Sequence, residues 1–117
     1  MRVRDRRVTE FQKCVYAAAK RIPRGKVTTY KDLARAIDCR SSRAVGQALK
    51  RNPFAPDVPC HRVIHSDLTI GGFSGSLKGP KIEKKRVLLL EEGVCFEGNR
   101  LSDPNNVYRF HDEIDSE

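Results

Sequence analysis

The stretch TYKDLARAIDCRSSRAVGQALKR, residues 29–51, decides the fold. Thr29 places a hydroxyl acceptor just before a run in which Leu33, Ala34 and Ile37 recur at helical spacing, so it reads as the N-cap of a helix from Tyr30 to Ile37. Cys39 to Ser41 then turns the chain. Ser41 or Ser42 caps a following helix that runs to about Arg51, where Asn52-Pro53 stops it. Two short helices joined by a tight turn read as a helix-turn-helix. An ordinary pair of packed helices is the commoner outcome of such a pattern. The balance shifts because Arg40, Arg43, Lys50 and Arg51 lie on or beside the second helix.

Outward from this core, Thr9 caps an earlier helix in which Phe11, Val15, Ala18 and Ile22 recur, with Cys14 expected to fill the core beside them. Pro23-Arg24-Gly25 ends that helix, and the β-branched Val27-Thr28-Thr29 is extended. Residues 53–76 are rich in Pro, Gly and Ser and read as a structured loop with one short strand at Arg62 to His65. A last helix begins at Pro80 or Lys81 and carries Ile82, Val87, Leu88, Leu89 and Leu90 up to Gly93. The expected fold is mostly α: a winged-helix-like helix-turn-helix domain with short β elements, spanning residues 1–104. Residues 105–117 read as an acidic tail.

At 117 residues the chain can bury one core and not two. Hydrophobic residues make up 38% and charged residues 32%, a composition that folds and stays in water. No apolar run is long enough for a bilayer span, and the start, Met1 to Arg7, lacks a signal peptide's apolar stretch. The expectation is a cytoplasmic protein without a membrane partner, associated with the nucleoid if prokaryotic. The net charge of +8 is uneven: residues 1–51 carry 15 basic and 4 acidic residues, residues 52–117 carry 8 and 11. A basic half beside a mildly acidic one points to a polyanion on one face, most simply nucleic acid.

The four cysteines, Cys14, Cys39, Cys60 and Cys95, form no CxxC pair, which suits free thiols in a reducing compartment. Cys60 differs from the others, because it lies in Pro59-Cys60-His61-Arg62-Val63. A thiol reacts as its thiolate, and a neighbouring imidazole can take the proton directly or through one water. Neighbours on an extended chain point apart, which favours the water. A carboxylate is then needed to orient the imidazole, and Glu91, Glu92 and Asp67 are all candidates. Cys60, His61 and His65 lack the second ligand pair of a structural zinc site, so neither metal nor cofactor is expected. Gly71-Gly72-Phe73-Ser74-Gly75 lacks the Lys-Ser/Thr of a phosphate loop; on residues alone it is a plain surface turn, and the alternative is a tight turn presenting Phe73 and Ser74 to a pocket.

Gly25-Lys26-Val27, Arg43-Ala44-Val45-Gly46, Asn52-Pro53, Pro59-Cys60-His61-Arg62-Val63, Gly72-Phe73-Ser74-Gly75 and Glu92-Gly93 occur in this order. Together they resemble the C-terminal domain of the O6-alkylguanine-DNA alkyltransferases, across residues 9–95. The resemblance implies irreversible, single-turnover transfer of a methyl or other alkyl group from guanine O6 in double-stranded DNA to Cys60. It implies His61 as the base, acting through a water, Glu92 as its orienting carboxylate, and Asn52 as a brace of the active-site turn. Tyr30 is similar to the tyrosine that crowds a DNA phosphate and gives a proton to guanine N3. Ser74 is similar to the donor to O6, Phe73 to an aromatic wall, and the carbonyls of Cys60 and Val63 to acceptors from the exocyclic amine.

By the same resemblance, Arg43 is similar to the family's arginine finger, which fills the gap left by a flipped nucleotide. The helix of Ser42, Arg43, Ala44 and Gly46, with Lys50 and Arg51 at its end, is implied to enter the minor groove, where small residues permit close approach. The implied protein is a monomer, with assembly on DNA left open. Departures include Phe73 where a tyrosine is common, Leu68 in place of a usual glycine, and a longer basic segment, residues 78–85, before Glu92. That segment leaves Glu91 as an alternative to Glu92. Alkyltransferase-like lesion sensors resemble this chain in size and bind the flipped base without chemistry. They typically carry tryptophan or alanine where Cys60 stands. A helix-turn-helix regulator would instead need long polar side chains over residues 42–51.

Overall fold

Three side-chain oxygens set the helix starts. In the structure, a computed structural model that describes residues 9–53, 57–71 and 80–110, Thr9 caps helix α1 (Glu10–Ala19) in a reciprocal capping box with Gln12. Strand β1 (Thr28–Thr29) runs directly into α2 (Tyr30–Ala36), whose cap is the Thr29 hydroxyl accepting from the Asp32 N–H at 3.0 Å. Ser41 caps α3 (Ser42–Lys50) by accepting from Ala44 N–H at 3.0 Å. Each such cap contributes about 1 kcal/mol. Asp38 reaches φ 58° between α2 and α3, a left-handed turn that Asp tolerates.

Helices α1, α2 and α3 close on one core built from Val15, Tyr16, Ile22, Leu33, Val45 and Leu49. The Tyr16 hydroxyl donates to the Ala48 carbonyl at 2.8 Å, tying α1 to α3. A 3-10 turn at Cys60–Arg62 leads into β2 (Val63–Ile64), which pairs parallel with β1, Thr28 opposite Val63 and Thr29 opposite Ile64. Helix α4 (Pro80–Glu91) and the antiparallel hairpin β3 (Phe96–Glu97) and β4 (Arg100–Leu101) enclose a second cluster of Val27, Ile64, Leu89, Val94, Leu101 and Val107.

Several expectations change. Cys14 is exposed on α1, and Phe11 is 36% exposed: the buried stripe runs through Val15, Tyr16, Ala18 and Ala19 instead. Ile37 is only half-buried, at the C-cap of α2. On α4, Val87 and Leu90 face outward at 49% and 57% exposure, because the buried face is Ile82, Lys85 and Leu89.

The chain between the β3–β4 hairpin and residue 110 packs against β1 and the helical core. A second 3-10 turn (Pro104–Asn106) begins a strap. Val27 N–H donates to the Asn106 carbonyl at 2.9 Å, Tyr108 N–H to the Val27 carbonyl at 2.6 Å, and Arg109 to Asp32 at 3.1 Å. Phe110 joins the main core with 7% exposure, its ring edge-on to Tyr108 and under the Arg21 guanidinium. Two buried apolar side chains, Val107 at its middle and Phe110 at its end, anchor this strap, so it packs despite its polar neighbours. Phe110→Ala is expected to lower stability by about 3 kcal/mol, read as a lower urea midpoint at unchanged slope.

Candidate active site

Pro59 starts the site. At φ −81° and ψ 70° it centres an inverse γ-turn, in which Cys60 N–H donates to the Val58 carbonyl at 2.8 Å. The pyrrolidine ring fixes that φ in advance. The Asn52 side-chain amide donates to the same Val58 carbonyl at 2.9 Å, so the end of α3 braces the bend. The chain leaves it as the 3-10 turn that carries Cys60, His61 and Arg62 on successive positions. Cys60 is half-buried and packs against the helical core, as Tyr30 does.

His61 Nε2 lies 2.9 Å from Glu92 Oε2, with both side chains 7% exposed. Arg62 grips the same carboxylate with two bonds of 2.9 Å, Nε to Oε1 and Nη2 to Oε2, while Nη1 donates to the Ile22 carbonyl at 2.8 Å. Of the three carboxylates left open by the residues alone, Glu92 is the one against His61. Glu91 is exposed, and Asp67 accepts from Thr69. Burial works to raise the Glu92 carboxyl, but the hydrogen bonds from Arg62 and His61 and their charges outweigh it and hold it at about 2. Burial lowers His61 below the usual imidazole value, against the hydrogen bond and charge of Glu92. An ionised Glu92 makes Nε2 the protonated nitrogen and leaves the Nδ1 lone pair as the basic site.

Burial, and next the charge of Cys60, push the Tyr30 phenol up to about 12. Its ring lies 5.7 Å from that of His65 and faces Gly46, where an added Cβ would sit 3.9 Å from the ring. Val63 is fully buried, and its carbonyl accepts from Lys85 Nζ at 2.8 Å. Ser42, Arg43, Lys50 and Arg51 are exposed along α3, with Ala44 and Gly46 half-buried between them. Phe73 and Ser74 lie outside the described residues, as do residues 54–56 and 111–117. Leu68, in place of a usual glycine, adopts φ 70° in the turn after β2, which costs a non-glycine residue on the order of 1 kcal/mol. Among the described residues, no three His, Cys, Asp or Glu side chains are grouped to hold a metal.

Sequence reading missed two residues. The motif alone assigns Arg62 no role, yet it grips Glu92 and the Ile22 carbonyl. Lys85 was placed in a basic segment, yet it is fully buried; its signal is the spacing Ile82, Lys85, Leu89, which puts it on the apolar face of α4.

A family model described as "6-O-methylguanine DNA methyltransferase, DNA binding domain" matches residues 10–94. The chain belongs to this family. Among methyltransferase relatives, the methylated-DNA–protein-cysteine methyltransferase of Thermococcus kodakarensis is 50% identical over 88 residues, covering 74% of this chain and 47% of that protein. The one from Bacillus subtilis is 43% identical over 89 residues, covering 75% and 52%. The chain thus spans about half the length of these methyltransferases. Among solved structures, that of Mycobacterium tuberculosis OGT in complex with DNA matches with a TM-score of 0.64 at 40% identity, over 72% of this chain and 50% of that one. S. pombe Atl1, solved with damaged DNA containing O6-carboxymethylguanine, matches with a TM-score of 0.72 at 34% identity, over 86% of this chain and 95% of Atl1. The mostly α fold expected from the sequence is that of these methyltransferase-family neighbours.

Proposed function

We propose that this chain repairs DNA by moving an alkyl group from guanine O6 to Cys60, once and irreversibly. The observation that carries the reading is the Cys60-His61-Arg62 turn closed by Glu92, beside a capped helix-turn-helix. The thiol proton passes to His61 Nδ1 through a water, and the sulfur attacks the alkyl carbon as the carbon–O6 bond breaks. The departing guanine takes a proton at N3 from Tyr30, which regains one from solvent. A phenol held near 12 stays protonated until that demand arises. The product thioether is a poor leaving group, so the thiol is not regenerated.

The partner in this reading is double-stranded DNA containing O6-alkylguanine, bound by a monomer inside the cell. Helix α3 lies in the minor groove, where Gly46 and Ala44 allow close approach, and Arg43 fills the gap of the flipped nucleotide. Incubation with methylated duplex is expected to add one methyl mass to the peptide containing Cys60; intact methylguanine beside unmodified Cys60 would sink the proposal. Arg43→Ala should slow repair in duplex on the order of tenfold, with little effect on reaction with a free modified base, since only the duplex requires unstacking. Equal loss on both substrates would remove that role.

The second reading is a lesion sensor without chemistry. It draws on the match over 95% of Atl1. The thiol at position 60, next in the turn to a neutral His61 held by an ionised Glu92, is what favours transfer over sensing. The same mass-shift assay separates the two.

A further inference from the structure

Glu92 stands one residue past the end of α4, yet its side chain and its backbone are both tied to the turn at 22–25. Arg62 makes the first tie. Its Nε and Nη2 hold Glu92 Oε1 and Oε2 at 2.9 Å each, and its Nη1 donates to the Ile22 carbonyl at 2.8 Å. Arg24 makes the second, donating from Nη2 to the Glu91 carbonyl at 3.0 Å. At Gly25, φ 91° brings the chain so close that an added Cβ would sit 3.3 Å from the Glu92 carbonyl oxygen. Asn106 donates to the Gly25 carbonyl at 3.1 Å, so the strap steadies the turn. A carboxylate held only by an imidazole can rotate about its last bond and offer either oxygen. Two parallel bonds from one guanidinium fix its plane, which a lysine ammonium, a point charge, does not. Oε1 goes to Arg62 Nε, and Oε2 is shared between Arg62 Nη2 and His61 Nε2. Each of the three Arg62 nitrogens is engaged, on a side chain that is largely buried.

We propose that Arg62 is the positioning residue of the His61–Glu92 pair: it clamps the carboxylate to the turn at 22–25 in the plane that sets Oε2 on His61 Nε2, and so keeps the ring proton on Nε2 and Nδ1 as the basic nitrogen. This deepens the transfer reading and rests on it for the use made of Nδ1. The clamp itself is a property of the protein without DNA. In this role Arg62 acts on neither the base nor the thiol, so its effect on transfer passes wholly through Glu92. Without the clamp the carboxylate can swing, and the imidazole can hold its proton on either nitrogen.

The test has two arms. The first reads the His61 ring nitrogens by long-range proton–nitrogen NMR correlation, without DNA, in wild type and Arg62→Lys. Wild type should show one tautomer, protonated at Nε2, and Arg62→Lys should show the Nδ1-protonated form as well. The second arm measures methyl transfer from methylated duplex in Arg62→Lys, in Glu92→Gln and in the double variant Arg62→Met with Glu92→Gln, beside thermal unfolding of each. The double variant leaves no buried charge unpaired between these two positions, so it keeps the test open if Arg62→Lys folds poorly. Arg62→Lys should slow transfer on the order of tenfold, while the double variant should lie within about twofold of Glu92→Gln, because both changes break one relay. A residue that only braces the fold would add its own loss to that of Glu92→Gln, and a double variant many-fold slower would overturn the proposal. So would an unchanged tautomer in Arg62→Lys, or a wild type that populates both tautomers and still transfers. The NMR arm needs no DNA, so its failure and a failure of wild type to take up methyl are separate results.

Discussion

Cys60→Ala is expected to abolish alkyl transfer entirely while leaving affinity for methylated duplex within a few-fold of wild type. The loss is total because no other described thiol lies on the 3-10 turn. Cys14 and Cys95 are exposed elsewhere, and the Cys39 sulfur is engaged with the Ser41 backbone between α2 and α3. Binding should survive because the side chain removed is small and the turn is held by other groups: the Val58 carbonyl bonds, the Arg62 grip on Ile22, and Lys85 on Val63. The variant would be a lesion binder without chemistry. The checks are mass spectrometry of the protein after incubation and a gel-shift titration at fixed salt, since affinity for DNA has meaning only with the salt stated. Residual methyl transfer in Cys60→Ala would move the acceptor elsewhere.

Glu92→Gln should slow transfer on the order of 10²-fold, the usual contribution of a positioned proton relay. The amide keeps the shape but cannot hold Nε2 as the protonated nitrogen as firmly, and it leaves the Arg62 guanidinium without its anion. Two pH dependences should separate. Glu92 itself stays ionised down to about 2, so it does not set the working range. His61 does: its value is lowered by burial, so the imidazole remains a neutral base at neutral pH, and transfer falls as acid protonates it, below the ordinary imidazole range. Stability follows a different window. A carboxyl depressed from 4.5 to about 2 contributes stability that is complete above 4.5 and is lost as pH falls towards 2. Wild type should therefore lose stability across that window more steeply than Glu92→Gln, as urea titrations at several pH values would show. Transfer by Glu92→Gln at the wild-type rate would hand the relay to another group.

The helix starts were legible because a cap is local chemistry. Thr9, Thr29 and Ser41 each meet a backbone N–H three residues on, and no distant contact has to be guessed. Val27-Thr28-Thr29 and residues 62–65 were both read as extended, but their parallel pairing was not, since it depends on what lies between them. Lys85 is hard to place from sequence because its charge suggests solvent while its spacing from Ile82 and Leu89 puts it on the buried face. Glu92 could not be separated from Glu91 by residue type, as the two differ only in the direction they leave the end of α4. The hairpin at 96–101 is two residues a side around Gly98-Asn99, too short for alternation to register, although a Gly-Asn pair between strands is a known turn signal. Val107 and Phe110 are single apolar residues in polar surroundings, and only the assembled core reveals what they fill.

The strap at 104–110 has a consequence for how the protein is made. Its bonds join residues 79, 80 and 81 positions apart: Lys26 with Asn105, Thr28 with Tyr108, and Asn106 with Gly25. A ribosome adding about 5–20 residues per second releases residues 25–28 several seconds before the strap exists. During that interval Val27 has no parallel neighbour, and the slot for Phe110 stands open to water. Closing so long a loop is also slow, because its entropy is lost before the contacts repay it. The nascent helices can dock early, but the slot beside Val15 and Leu49 and the edge of Val27 are filled only when the strap arrives, so a chain interrupted before residue 104 should bind chaperones.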